Sequence, residues 1–260
     1  AVGDRASAED GPMVHHNYDN VDLDAAFLTL RRRQAPGGYR CLEFTCAPLA
    51  GAIDGLNDAG LCITYNFAWT TAPGKPAPPV SMAISSALDR CATVAQAIRF
   101  LKKQTLCGGS LLMLADAGGP IGRMDGDGAR KHVQRARRRS MIYHSNTYRS
   151  RRMKRREVSR DACFGDGAPA ALRGQRVLAS ADQRDARLAT RLRRQRRLSA
   201  EDLHGLMSDH GDSQEGNGNT VCMHGDYWQT LASLQFHPRQ RIVRVAYGPA
   251  CQSEHVDFAL

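Results

Sequence analysis

The chain has 260 residues, 42% of them hydrophobic and 24% charged, which suits one sizeable soluble core. No apolar run reaches the roughly 18–20 residues of a membrane helix, so a transmembrane protein is excluded. The net charge is +10, but it is concentrated: from Arg123 to Arg160 there are 14 basic residues against Asp125, Asp127 and Glu157, while the rest of the chain is nearly neutral. A uniformly basic nucleic-acid coat is therefore excluded too.

In chain order, the alternating stretch Arg40–Cys46 predicts a strand. A second strand, Gly60–Phe67, is entered from the turn residues Asn57-Asp58-Ala59-Gly60. Thr71–Pro79 is rich in Pro and Gly and predicts a loop. Thr93–Lys103 places Val94, Ala97, Ile98 and Leu101 on one helical face. Ser110–Ala115 predicts a buried strand closed by Asp116-Ala117-Gly118-Gly119, and Ser140–Ser145 predicts another. Arg149–Arg160 has almost no apolar content and is expected to be exposed or mobile. Asp182–Leu198 predicts a helix. Ser199–Met207 predicts another, opened by an N-cap serine with acids in its first turn. Thr230–Phe236 and Arg241–Tyr247 form an expected antiparallel pair. Strands at both ends around a helical middle indicate an α+β chain with a largely antiparallel sheet.

Eight cysteines contain no CxxC, and spacings such as Cys41 to Cys46 match no zinc pattern. Neither a metal nor a cofactor is expected. The first ten residues, Ala1–Asp10, carry no basic-then-apolar signal, so the thiols are expected to be reduced and the protein cytoplasmic. His15, His144, His210 and His224 are expected to be hydrogen-bonded structural groups, and Cys222 and Cys251 packed thiols.

An ordered set of short motifs carries the functional signal. It runs through Asn17-Tyr18-Asp19-Asn20, Gly55-Leu56-Asn57-Asp58-Ala59-Gly60-Leu61 and Thr64-Tyr65-Asn66-Phe67. It continues through Gly108–Gly118, Tyr143–Tyr148, Val221-Cys222-Met223-His224, Thr230–Leu234 and Gly248-Pro249-Ala250-Cys251. In this order and spacing the chain resembles the isopenicillin N acyltransferase-like branch of the N-terminal nucleophile hydrolases over residues 1–260. The resemblance implies one domain with a four-layer αββα sandwich. It also implies self-cleavage of a precursor before a cysteine that becomes the first residue of the mature chain. A free α-amine titrates at roughly 7.7–8, so it can act as general base toward its own residue's thiol. The thiolate then attacks an amide or thioester carbonyl.

The implied nucleophile position falls on Ala1, which has no nucleophile. Two explanations are open: an engineered Cys→Ala, which fits the missing initiator Met and numbering from a scissile junction, or a natural pseudoenzyme. By resemblance, Asp19 would hold the N-terminal amine, and Asn146 would donate its amide to the oxyanion. Asn66, with the Phe67 N–H, would form the second oxyanion element. His16, Tyr18, Phe67 and His144 would contact substrate, and Trp228, Tyr227 and the 71–79 loop would line a pocket. Three positions depart from the relatives: His16 and Met223 stand where an arginine is common, and Thr147 where a histidine is.

The activity implied is amide hydrolysis or acyl transfer on an acylated amine or peptide-like amide, in natural-product tailoring. The segment upstream of the cut would remain as a companion chain, and homo-oligomerisation is left open. The basic segment 129–160, through Arg130–Arg156, would meet an anionic carrier or coenzyme A. The competing readings are a non-catalytic scaffold and a nucleic-acid-binding module. The second is weakened because no aromatic residue interleaves Arg123–Arg139.

Overall fold

A computed structural model describes residues 1–260 except 75, 137–140 and 194, and among the described residues it has eleven strands and five α-helices. Seven strands follow one another as an antiparallel meander: β2 (Leu28–Gln34), β3 (Arg40–Cys46), β4 (Asp54–Asn57), β5 (Leu61–Phe67), β6 (Ser110–Asp116), β7 (Ile121–Gly126) and β8 (Lys131–Ala136). A second antiparallel sheet has the order β1 (Val14–Asn20), β9 (Gln229–His237), β10 (Ile242–Tyr247) and β11 (Val256–Ala259).

The two-residue period of the strands sorts the core into layers. On one face of the large sheet Leu61, Ile63, Leu112 and Leu114 meet helices α1 (Val80–Arg90) and α2 (Val94–Lys103), through Ile84, Leu88, Ile98 and Leu101. Cys62, Met113 and Ala115 point to the other face, where they meet Val14, Leu234, Phe236 and Val243 of the small sheet. This is why every residue of β6 is buried. Outside the small sheet, α5 (Ala200–Met207) packs Leu203 and Leu206 on Val2, Ala6 and Met13. The helix–sheet–sheet–helix sandwich expected from the sequence is therefore present.

Local chemistry fixes the helix starts. Thr93 caps α2 by accepting from the Gln96 N–H. Ser199 and Asp202 close a reciprocal capping box at α5, as the sequence predicts. At the turn into β5, Gly60 lies at φ +86°, and a Cβ there would come within 2.7 Å of the Pro238 carbonyl oxygen.

Three expectations are corrected. The predicted strand 140–145 is not a strand. Residue 140 lies outside the described residues, Met141 makes an isolated bridge to Val2, and Ile142 exchanges backbone hydrogen bonds with Ala1 (2.9 and 2.8 Å). Its apolar pair therefore lines an interior wall instead of extending a sheet. The predicted helix 182–198 is α4 over Ala179–Leu192. Leu198 lies beyond it, pairing with Ala6 and Ala8 and packing beside Val2. The segment 149–160 is not merely exposed. It carries the short helix α3 (Arg151–Lys154), capped by Ser150, with Met153 buried against Tyr148.

Within and beside the basic segment, three arginines are paired with acids. Arg123 pairs with Asp125, Arg149 with Asp185 and Arg156 with Asp127, each acid being buried. Arg130, Arg135, Arg151, Arg152, Lys154 and Arg155 remain exposed, and the run at 137–139 lies outside the described residues. Among the described residues, no helix is long and apolar enough to cross a membrane.

Candidate functional site

Two adjoining cavities open along the seam between the sheets, and they share His16, Asn17, Asp19, Asn66 and Arg184 as a common wall. The first reaches inward to Ala1, Ile142 and His144. The second, with an empty volume of about 1290 Å³ that includes open solvent, reaches outward to Tyr18, Phe67, Trp69, Asn146, Met223 and Trp228. The sequence-derived residues are thus brought together, divided between the two cavities.

Ala1 is locked between two extended segments. Val2 exchanges hydrogen bonds with Met13 (2.8 and 3.0 Å), while the Ala1 amine donates to the Ile142 carbonyl at 2.8 Å. Burial disfavours the charged amine and lowers its pKa to about 5. The amine is therefore mostly a free base at neutral pH. It is not hydrogen-bonded to Asp19, contrary to the role expected for that carboxylate.

Asp19 is committed elsewhere. A bulge between Tyr18 and Asp19 shifts the β1–β9 register and sets Asp19 opposite Thr230. The Thr230 hydroxyl donates to Oδ1 at 2.7 Å, and Arg184 lies 3.4 Å from Oδ2. Burial nevertheless raises the Asp19 pKa, against the opposing pull of Arg184.

His16, in the same wall, is held by Asp54: Nδ1 and Oδ2 are 2.6 Å apart, and the other Asp54 oxygen accepts from the Tyr65 N–H at 3.0 Å. Burial alone would lower the His16 pKa, but the Asp54 carboxylate outweighs it and raises the value. This pair joins β1 of the small sheet to β4 of the large one.

The two asparagines differ in what they have left to give. Asn146 accepts from Arg184 at 2.9 Å and donates to the Phe67 carbonyl at 2.8 Å. The Asn66 side chain forms no hydrogen bond among the described residues, and it borders both cavities. His144 is half-buried, and desolvation of its ring lowers its pKa to about 3. Its Nδ1 meets the Ser145 carbonyl at 3.0 Å, and its Nε2 has no partner. It is thus a neutral imidazole with one polar edge spare on the inner cavity.

Arg184 and Asp185 are the functional residues that sequence reasoning misses. On α4 the buried stripe is Ala181, Arg184, Asp185 and Leu188, so two charges occupy the apolar face. That stripe, at helical spacing, is the signal that could have found them. Arg184 spans Asp19 and Asn146. Asp185 accepts from the Ser145 N–H (2.9 Å), the Thr147 hydroxyl (2.6 Å) and Arg149 (3.2 Å), which fixes the loop carrying Asn146.

The outer cavity is aromatic. Phe67, Trp69, Phe164, Trp228 and Tyr227 form a chain of ring contacts with centroids 5.1–6.0 Å apart. Tyr227 meets Trp228 edge to face and does not line the cavity, and the 71–79 loop is absent from its walls among the described residues. Asn66, Arg184 and Asp19 stand at the inner end of this aromatic surface.

The sequence profile of the family described as acyl-coenzyme A:6-aminopenicillanic acid acyl-transferase matches residues 6–250. No curated protein sequence matches the chain. Two solved structures are similar. One is penicillin V acylase from Agrobacterium tumefaciens, 13% identical over 95% of this chain and 81% of that one, with a TM-score of 0.52. The other is the Caenorhabditis elegans N-acylethanolamine-hydrolyzing acid amidase ortholog, 14% identical over 90% and 91%, with a TM-score of 0.56. These likenesses show the N-terminal nucleophile hydrolase fold.

Proposed function

The chain belongs to the acyl-coenzyme A:6-aminopenicillanic acid acyl-transferase family, and from that premise we propose that the seam between its sheets is the active site of an amide-bond hydrolase or acyltransferase, with position 1 as the nucleophile position. The observation that carries this reading is the buried amine of Ala1, its pKa lowered to about 5, at the inner end of a cavity that it shares with Asn66, Asp19 and Arg184.

With cysteine at position 1, the α-amine accepts the thiol proton and the thiolate attacks the substrate carbonyl. The carbonyl oxygen becomes an oxyanion, and Asn66, whose amide is uncommitted, is the side chain placed to donate to it. The C–N bond then breaks, the leaving amine takes a proton, and a thioester acyl-enzyme remains. Water or an acceptor amine attacks the thioester and regenerates the thiol. Arg184 positions Asp19 and Asn146 instead of touching the reacting atoms. The acyl group lies against Tyr18, Phe67 and Trp228.

Because the family's description names 6-aminopenicillanic acid as acceptor, acylated amines of that small polar kind in natural-product tailoring are the first substrates to try. The aromatic wall favours an arylacyl or long alkyl donor, as an amide or a coenzyme A thioester. In the thioester case the exposed Arg151, Arg152 and Arg155 would meet the phosphates.

A second reading is favoured by one residue. Ala1 supplies no nucleophilic atom, so the chain as it stands would bind acyl amines without turning them over. The deciding experiment is Ala1→Cys, with intact-mass detection of an acyl adduct and release of amine across a panel of N-acyl amines. Adduct and turnover in the variant, with neither in the Ala1 chain, are expected. A folded variant that forms no adduct with any donor would falsify the enzymatic reading and leave the scaffold.

A further inference from the structure

Away from position 1, four soft donor atoms converge. Cys222 Sγ lies 3.5 Å from His224 Nε2 and 3.6 Å from Cys251 Sγ, Cys251 Sγ lies 3.3 Å from His224 Nε2, and the Nε2 atoms of His210 and His224 are 3.2 Å apart. All four ligand atoms fall within 4.8 Å of one another.

These separations match a tetrahedron around one ion. Zinc sits about 2.3 Å from thiolate sulfur and about 2.0–2.1 Å from imidazole nitrogen, so a tetrahedral site has edges of about 3.8 Å (S–S), about 3.6 Å (S–N) and about 3.3 Å (N–N). These four of the six edges lie within about 0.3 Å of those values, and the remaining two, from His210 to the sulfurs, are no longer than 4.8 Å.

The surroundings are built for the same purpose. His210 Nδ1 meets the Gln214 carbonyl at 3.1 Å, which places the proton on Nδ1 and leaves the Nε2 lone pair facing inward. Gly216 carries the loop over both rings at φ +79°. A Cβ there would lie 2.6 Å from His224 Cδ2 and 3.0 Å from His210 Cδ2. Cys222 is fully buried, so its sulfur is shielded.

We infer that His210, Cys222, His224 and Cys251 form a Cys2His2 zinc site. All four positions are filled by protein, so the site is closed and structural, with no vacancy for substrate. Binding displaces two protons from the thiols as Zn²⁺ takes two thiolates and two neutral imidazoles. The metal would tie the 208–228 segment to the chain after β10. Cys222 lies between Val221, which lines the inner cavity, and Met223, which lines the outer one, so the clamp would also fix one wall of the seam. The inference is independent of the catalytic reading, since it requires no nucleophile at position 1. The sequence reading expected no metal because the ligands come from two distant segments with no CxxC.

The test is metal content of the full chain purified without chelator and measured by plasma mass spectrometry. About one zinc per chain is expected, falling to about zero in Cys222→Ser and in Cys251→Ser but unchanged in Cys163→Ser, whose thiol is exposed and not part of the cluster. In case the serine variants fail to fold, the unaltered chain gives two further readouts. Cobalt(II) exchanged into the site should show thiolate charge-transfer and tetrahedral ligand-field bands, and removal of zinc should expose two additional thiols to a titrant. A zinc-free protein whose cobalt form shows no thiolate band would overturn the site, as would a Cys222–Cys251 disulfide in a non-reduced peptide map.

Discussion

The two sheets of the sandwich are assembled in opposite ways. The seven-stranded sheet is a meander in which every strand pairs with its neighbour in sequence, so its contacts are local. The four-stranded sheet pairs β1 with β9, joining Val14 to Phe236 across most of the chain. The local sheet contributes an uncommitted group of the seam, Asn66. The non-local sheet contributes His16, whose Nδ1 is held by Asp54, and Asp19, whose two oxygens meet Thr230 and Arg184. One sheet thus offers chemistry to a ligand, and the other spends its polar groups on holding distant segments in register.

The sharpest way to break this contrast is Asn66→Ala in an Ala1→Cys background. Loss of an oxyanion donor costs about 10²–10³ in kcat, and the melting temperature should stay near that of the parent because no partner is abandoned. A large drop in melting temperature would mean that Asn66 is structural after all. Arg184→Met, on the side that holds the seam together, should behave differently. It leaves the half-buried Asp19 carboxylate without its cation, a loss of about 1–3 kcal/mol, and it frees Asn146. Both thermal stability and kcat should fall, and Arg184→Lys should restore part of the stability while recovering less of the rate.

A milder probe is pH. The amine pKa of about 5 when folded lies below its ordinary 8.0. The unfolded chain therefore binds more protons between those values, so this group's contribution to stability is present above pH 8 and is lost as pH falls toward 5. Amine-selective acylation followed against pH should show a midpoint near 5, and a midpoint near 8 would remove Ala1 from the buried seam. The smallest effect is expected from Trp228→Ala, which should raise KM for an arylacyl donor about tenfold and barely change that for an acetyl donor.

What could be read from the sequence follows the same division. Strands β5, β6, β9 and β10 were visible because their residues alternate or run apolar between clear turns. Helices α2 and α5 were visible through an amphipathic face and capping chemistry. Strand β1, Val-His-His-Asn-Tyr-Asp-Asn, hid because its buried positions include His16 and Asn17, whose burial depends on Asp54, Met207 and Val221 far away. Strands β7 and β8 were masked by the charge of the basic segment, whose arginines bind buried acids. At the seam, Asn66, Asn146, Asp19 and Ala1 entered through the ordered motifs, since no local pattern marks an oxyanion donor. Arg184 and Asp185 escaped notice because charge on a helix normally means solvent, and only their buried partners reveal otherwise.

The long-range pairing of β1 also sets a timetable. During synthesis the meander can close strand by strand as it leaves the ribosome, but β1 must wait until residues 229–237 have emerged. The seam, with Asp19 aligned on Thr230, is therefore completed only late, after most of the chain has emerged. A ribosome-bound chain can carry a nearly finished large sheet and still have no place to put a substrate.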